Sequence, residues 1–235
     1  MIHIDIETAS HCDLGKAGVY RYAEDPTTRI LCIAWTDGEG EGNVWVPRPL
    51  KGFPRAAFPD LSEKERLVIQ ANPPEELLEH FNNPAMPLVA HNASFERVLL
   101  NSRASPGLPA TPRERWYCTM AQAQTCNLPA DLKTLSKIVQ NRKMDARNIM
   151  LKLARPNAEG LLWEPEEVPG DFAHLYKYCL QDVYAERSVY NRFPRTSKRE
   201  RQVYLLSEKI NDRGIQVDLE AVNAAQRVWA ECQAK

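Results

Sequence analysis

The sequence predicts an α/β protein: a mixed central sheet flanked by helices, with a helical extension at the C-terminal end. Three observations carry this reading. The opening segment alternates Ile2, Ile4 and Ile6 with His3, Asp5 and Glu7, the period of a strand. Two apolar runs, from Arg29 and from Asn43, lie close enough together to pair as a hairpin. From residue 73 onward, short apolar runs alternate with segments of helical apolar spacing. The 235 residues suit one large domain or two modest ones.

Taken in order, MIHIDIETAS forms the first strand, and a polar loop follows it. RILCIAWTDGEG is a second strand ending in a D-G turn, and NVWVP is its partner. Four prolines between 47 and 60 mark a surface excursion. PPEELLEHFNN opens with proline and acids, as helices do, and PLVAH is a short strand leading into the helix NASFERVLLNS. RWYCTMAQAQ reads as a strand entering a helix, and LKTLSKIVQ as an amphipathic helix. The Pro- and Gly-rich stretch 155–170 is a loop, and a long apolar-striped helix runs from Asp171, its expected N-cap, to Arg192. Another helix over about 198–212 stops at Arg213-Gly214, and a last amphipathic stretch reaches the end.

Composition excludes several classes. Apolar residues make up 43% and charged residues 26%, the balance of an ordinary globular chain. Thirty basic against thirty-one acidic residues give a net charge of −1, so bulk charge cannot coat nucleic acid. A nucleic-acid role then requires basic residues gathered on one face. No apolar run approaches the ~20 residues of a membrane helix, and the N-terminus lacks the pattern of a signal peptide. A cytoplasmic protein without membrane partners is expected. The six cysteines have no C-x-x-C pair, which favours free thiols.

Three local patterns hold acids. Asp5 and Glu7 are two apart in a strand and project from one face; alone, they read as a solvent-facing edge strand. Asn92 and Glu96 are four apart where a strand passes into a helix; alone, Asn92 reads as an ordinary N-cap. Tyr178 and Asp182 share a helix face by the same spacing, and alone fit a core-edge tyrosine beside a surface acid.

Together these patterns form an ordered set: a strand acid pair, then Asn-x-x-x-acid, then Tyr-x-x-x-Asp. The set resembles the three motifs of DEDDy-type 3′–5′ exonucleases, the proofreading domains of phage family-A DNA polymerases. AHNASFER, RWYCTMAQA with LPADLKTLSKIV, KMDARNIMLKLARP and RQVYLLSEKINDRGIQVD extend the resemblance over nearly the whole chain. Glu96 stands where the broader superfamily usually has Asp, one methylene longer, a reach of about 1.5 Å.

The resemblance implies a ribonuclease H-like fold, with residues 1–194 as the exonuclease domain and 195–235 as the start of a polymerase region. It implies hydrolysis of phosphodiesters with two Mg²⁺ (or Mn²⁺) ions about 3.5–4 Å apart. It makes Asp5, Glu7, Glu96 and Asp182 the metal ligands, Asp5 bridging both ions, and Tyr178 a neutral phenol that orients water. Thr8, Asn92 and Phe95 are the expected substrate contacts. Arg21 with Tyr20 and Tyr22, and the cluster Arg195, Lys198, Arg199 and Arg201, are candidate strand-guiding surfaces. The implied partners are a single-stranded DNA 3′ end and a DNA polymerase domain or subunit, in a bacterial host cell if the chain is phage-encoded. The final helix breaking off at Lys235 inclines toward a piece of a longer polymerase. Two other readings are an RNA-trimming exonuclease of the same superfamily and an inactive DNA-binding module.

Overall fold

A computed structural model describes residues 1–37, 42–48, 65–141 and 145–233. Six strands form one sheet: β1 (Ile2–Ala9), β2 (Arg29–Thr36), β3 (Asn43–Val46), β4 (Arg66–Ile69), β5 (Leu88–Ala90) and β6 (Trp116–Cys118), in the order β4-β3-β2-β1-β5-β6. β2 runs antiparallel to both of its neighbours, and the other pairings are parallel. This is the mixed sheet expected, flanked by helices. The hairpin forms as read, with Ile33 opposite Trp45. The turn beyond Asp37 and residues 49–64, which include most of the proline-rich excursion, lie outside the described residues.

The helices are α1 (Leu14–Glu24), α2 (Glu75–Asn82), α3 (Ser94–Leu100), α4 (Thr119–Thr125), α5 (Leu132–Ile138), α6 (Arg147–Leu153), α7 (Pro169–Arg192), α8 (Lys198–Arg213) and α9 (Leu219–Gln233). One face of the sheet packs Ile2, Ile4, Ile6, Trp35 and Trp45 against Leu77, Phe81 and Leu99 of α2 and α3. The other packs Cys32, Ala34, Val44 and Val46 against Phe172, Leu175, Cys179 and Leu180 of α7. With both faces covered, β1 is a central strand, so the solvent-facing-edge reading of its acids falls. The polar side of β1 faces α7, which lies across β1 and β2. None of the described helices is long and apolar enough to cross a membrane.

Several local expectations need correcting. The loop after β1 contains α1, capped by Asp13, whose side chain accepts from the backbone N–H groups of Gly15 and Lys16. Gly15 and Gly18 hid this helix: Gly18, at φ 75°, kinks it and breaks its apolar period. α7 begins at Pro169, two residues before the expected cap. Asp171 lies in its first turn and accepts from Lys152 at 2.7 Å. Asn92 precedes α3 rather than capping it: its φ is 66°, Ala93 holds the cap position, and the backbone N–H of Phe95 donates to the Asn92 carbonyl. β4 and α6 carried no prediction, each being too short to develop a period.

Candidate active site

The sheet order places the site. From β1 the chain builds the sheet outward in one direction through β2, β3 and β4, then returns to add β5 and β6 on the other side. In open α/β sheets a crevice forms beyond the carboxyl ends of the strands where the order reverses. Here that point lies between β1 and β5. β5 pairs Leu88 with Ile2 and Val89 with His3 and ends at Ala90, so Asp5 and Glu7 project beyond its end. The turn leaving β5 carries His91 and Asn92 and feeds directly into α3 with Glu96. His91 is held on both ring nitrogens, by Thr119 Oγ1 at 3.0 Å and the Ala130 carbonyl at 2.7 Å.

α7 closes the site. Tyr178, Asp182, Glu186 and Tyr190 recur every four residues on one stripe, facing His3, Asp5 and Glu7 on the polar side of β1. The lower rungs are structural. His3 Nδ1 and Glu186 Oε1 lie 2.9 Å apart, both nearly inaccessible, and the His3 ring meets Tyr190 edge-on at 5.1 Å. The upper rungs hold two of the expected site residues: the Tyr178 hydroxyl donates to Asp182, and both side chains are buried. Burial, reinforced by the charges of Asp182, Glu7 and Asp5, pushes the Tyr178 phenol far above its ordinary value, so it is a neutral donor at any physiological pH.

Glu96 belongs to the same electrostatic group. It is 3% exposed, its Oε2 has no hydrogen-bond partner, and burial followed by the charge of Asp5 raises its pKa well above 4.5. Asp5 therefore acts on both Glu96 and Tyr178, and Glu7 and Asp182 act on Tyr178 as well. All five residues expected at the reacting centre meet around this edge. Among the described residues, no three His, Cys, Asp or Glu side chains are grouped closely enough as they stand to hold one ion. Like charges repel in the absence of a cation, and Asp182 is turned to the Tyr178 hydroxyl. The donor set is nonetheless all carboxylate oxygen, which suits Mg²⁺ or Mn²⁺, and a cation would relieve the buried Glu96 oxygen.

Behind the acids, the buried thiols of Cys32 and Cys179 are hydrogen-bonded to each other, and Cys179 Sγ donates to the Asp5 carbonyl at 3.5 Å. Burial raises both thiols, so they are packing groups and not nucleophiles.

The expected substrate contacts divide. A register shift between Glu7 and Thr8 turns Thr8 toward α1, where its hydroxyl pairs with that of Tyr22 at 3.0 Å. Tyr22 and Phe95 lie 6.4 Å apart, so Thr8, Tyr22 and Phe95 form one aromatic corner beside the acids. Asn92 is exposed at the mouth of the turn. Tyr20 and Tyr22 do not make an exposed stacking surface: Tyr22 is buried and Tyr20 donates to Asp212 at 2.7 Å.

Sequence reasoning missed two groups. His3 and Glu186 simply continue the period of two and the period of four already carrying Asp5 and Asp182, which was the available signal. Arg97, next to Glu96, is 7% exposed and reaches Glu208 at 3.0 Å and Asp212 at 2.8 Å on α8. Ser94 donates to the same Glu208 at 2.7 Å. No pattern in the sequence couples positions this far apart.

No family model matches the chain. It is 29% identical over 235 residues to a DNA polymerase of Bacillus phage SP02, an alignment covering 95% of this chain and 33% of that protein. The chain thus spans about a third of that relative's length, and the motif-based resemblance to a phage DNA polymerase agrees with the match. Among solved structures, Brucella melitensis NrnC, alone and with bound Mg²⁺, aligns with a TM-score of 0.46 at 12% identity over 88% of this chain and 81% of that one. The apo form of a nuclease aligns with a TM-score of 0.37 at 16% identity, over 88% of this chain and 74% of that one.

Proposed function

Starting from a chain related along nearly all its length to a phage DNA polymerase, we propose that it is a metal-dependent 3′–5′ exonuclease. It removes nucleoside monophosphates from DNA 3′ ends as the proofreading module of a phage-type polymerase. The observation that carries this reading is the meeting of Asp5, Glu7, Glu96, Asp182 and Tyr178 at the sheet's switch point, with a carboxylate oxygen buried and lacking a hydrogen-bond partner at Glu96.

Asp5, Glu7, Glu96 and Asp182 are the residues that would hold two divalent ions. Bound ions supply activation of water and neutralisation of charge on the phosphate and the departing 3′ oxygen. The protein's own part is positional. β1 and α7, both rigid, fix the directions from which the carboxylates approach. Tyr178 stays protonated, gives its hydrogen to Asp182, and presents a lone pair that orients water at the scissile phosphate. Phe95, half-buried and backed by Tyr22, offers its ring to the terminal nucleotide, and Asn92 lies exposed where its amide can reach a sugar. Such contacts read shape and phosphate and not base edges, so little sequence preference is expected. Residues 195–235 form the beginning of the polymerase region.

The test is a time course on a 5′-labelled single-stranded oligonucleotide with Mg²⁺ or Mn²⁺, beside EDTA and an Asp182→Ala variant, with a matched RNA strand in parallel. Stepwise shortening of DNA from the 3′ end, lost under either treatment, is the expected outcome. Cleavage that survives Asp182→Ala rejects the assignment. Binding of DNA without cleavage at any metal concentration makes the chain an inactive DNA-binding module.

A further inference from the structure

A cavity of about 320 Å³ opens on the far side of the core, where β6, α4, the end of α7 and the start of α8 come together. Its walls include Tyr117, Tyr190, Tyr204, Arg195 and Arg201. Pro87, which also lines it, precedes the amino end of β5, so the cavity faces the edge of the sheet opposite the acids. Along α7, Tyr190 lies twelve residues beyond Tyr178, about 18 Å at the helical rise. It is a separate place from the candidate active site.

Two features of its walls ask for a ligand. The first is uncompensated positive charge. Arg201 stacks over Tyr117 at 4.1 Å and Tyr204 at 5.5 Å, and Arg195 stacks over Tyr190 at 3.4 Å. Their hydrogen bonds go to backbone carbonyls, Arg201 to Glu114 at 3.0 Å and Arg195 to Tyr190. Among the described residues neither guanidinium forms an ion pair, and the charge of Glu114 acts on Arg201 less than burial does. Burial pulls the Arg201 pKa down, the mark of a cation partly stripped of water without an anion beside it. The second is an open aromatic surface. Tyr117 is 37% exposed although both of its neighbours in β6, Trp116 and Cys118, are buried.

We propose that this cavity is a second nucleotide-binding site, taking one nucleotide unit of a single strand with its base against Tyr117 and Tyr204 and its phosphate against Arg195 and Arg201. The chemistry selects the occupant: a planar ring and a phosphodiester anion on one small unit match stacked tyrosines and guanidiniums, whereas an acidic peptide supplies charge without the ring. The volume is that of a small-ligand pocket. The inference rests on the nuclease reading only for the identity of the strand, since binding here needs no catalysis. A strand with its 3′ end at the acids must run roughly five stacked nucleotides, at ~3.4 Å each, to cover ~18 Å.

The test measures binding of a fluorescent single strand of ~12 nucleotides in EDTA, with Tyr117→Ala and Arg201→Ala beside the unaltered chain. Both variants are expected to bind about tenfold more weakly, and Arg201→Ala also to lose about one from the slope of log affinity against log salt. With Mg²⁺ restored, a dinucleotide, too short to span the two places, is expected to be hydrolysed by Tyr117→Ala as by the unaltered chain. Should the unaltered chain cleave nothing while the binding losses persist, the nuclease reading fails and the pocket assignment stands. Unchanged strand affinity in Tyr117→Ala, with its thermal unfolding intact, overturns the proposal. So does an equal loss of affinity for a poly-glutamate peptide, which marks a general anion pocket.

Discussion

Arg97 offers a perturbation whose size can be worked out before it is measured. Its guanidinium, 8% exposed, donates to Glu208 at 3.0 Å and to Asp212 at 2.8 and 3.2 Å. Burial alone lowers the pKa of an arginine; here the bonds to Asp212 and Glu208 outweigh it and raise the value, so the cation is firmly held. Arg97→Met keeps much of the apolar volume and removes the charge. Asp212 is 21% exposed and retains Tyr20 at 2.7 Å and Arg113 at 3.0 Å, so its loss is of the surface kind, at most about 1 kcal/mol. Glu208 is 7% exposed and keeps the hydrogen bond from Ser94, a neutral donor. Stranding one charge of a buried pair costs about 3–5 kcal/mol, and this contribution decides the outcome. For a chain of this length that is a fall in Tm of roughly 6–20 °C. Urea and thermal unfolding of Arg97→Met, Glu208→Leu and the double variant make the assay. The double variant is expected to recover a large part of the loss, because no charge is then left buried alone. If the two single effects simply add, the pair is not coupled and the reasoning is wrong.

Four further outcomes are expected. Glu96→Gln abolishes cleavage and makes the metal-free protein more stable at pH 7. A carboxyl whose folded pKa is raised favours the folded state while protonated, and that contribution is lost as pH rises from its ordinary value of 4.5 through the folded one. In EDTA, the unaltered chain should therefore gain stability from pH 7 toward pH 5, with buried Glu186 adding in the same direction, and Glu96→Gln should flatten the curve. Tyr178→Phe slows hydrolysis about 10²-fold, and the unaltered enzyme's rate profile contains no tyrosine ionisation up to pH 10, because burial and the neighbouring acids keep the phenol protonated. Gly42→Ala destabilises by about 1–3 kcal/mol in urea unfolding, since a methyl group there would collide with Leu180 and the Tyr184 hydroxyl.

The proposed site of this chain was legible in its sequence because its residues are spaced by short-range periods. A period of two puts Asp5 and Glu7 on one side of a strand, and a period of four puts Tyr178 and Asp182 on one side of a helix. Longer elements declared themselves in the same way: β1, β2 and α7 each run for several repeats. The misses were elements too short or too interrupted for any repeat to build up. They are β4 with four residues, α6 with seven, and α1, whose apolar spacing is broken at Gly18. What pattern could not decide was which side of each element would be buried. The acids of β1 read as an exposed edge until the sheet order placed β2 and β5 on either side of that strand and α7 packed across its polar side.

Tertiary structure alone decided the pairings that span the chain. His3 meets Glu186 across 183 positions, and Arg97 meets Glu208 across 111. Charge complementarity is cheap along a sequence, where any acid will suit any base. It becomes selective only when a shared core excludes water from one particular pair. The residues of the proposed site are spaced by local periods, whereas those that hold them in place depend on distant segments buried together.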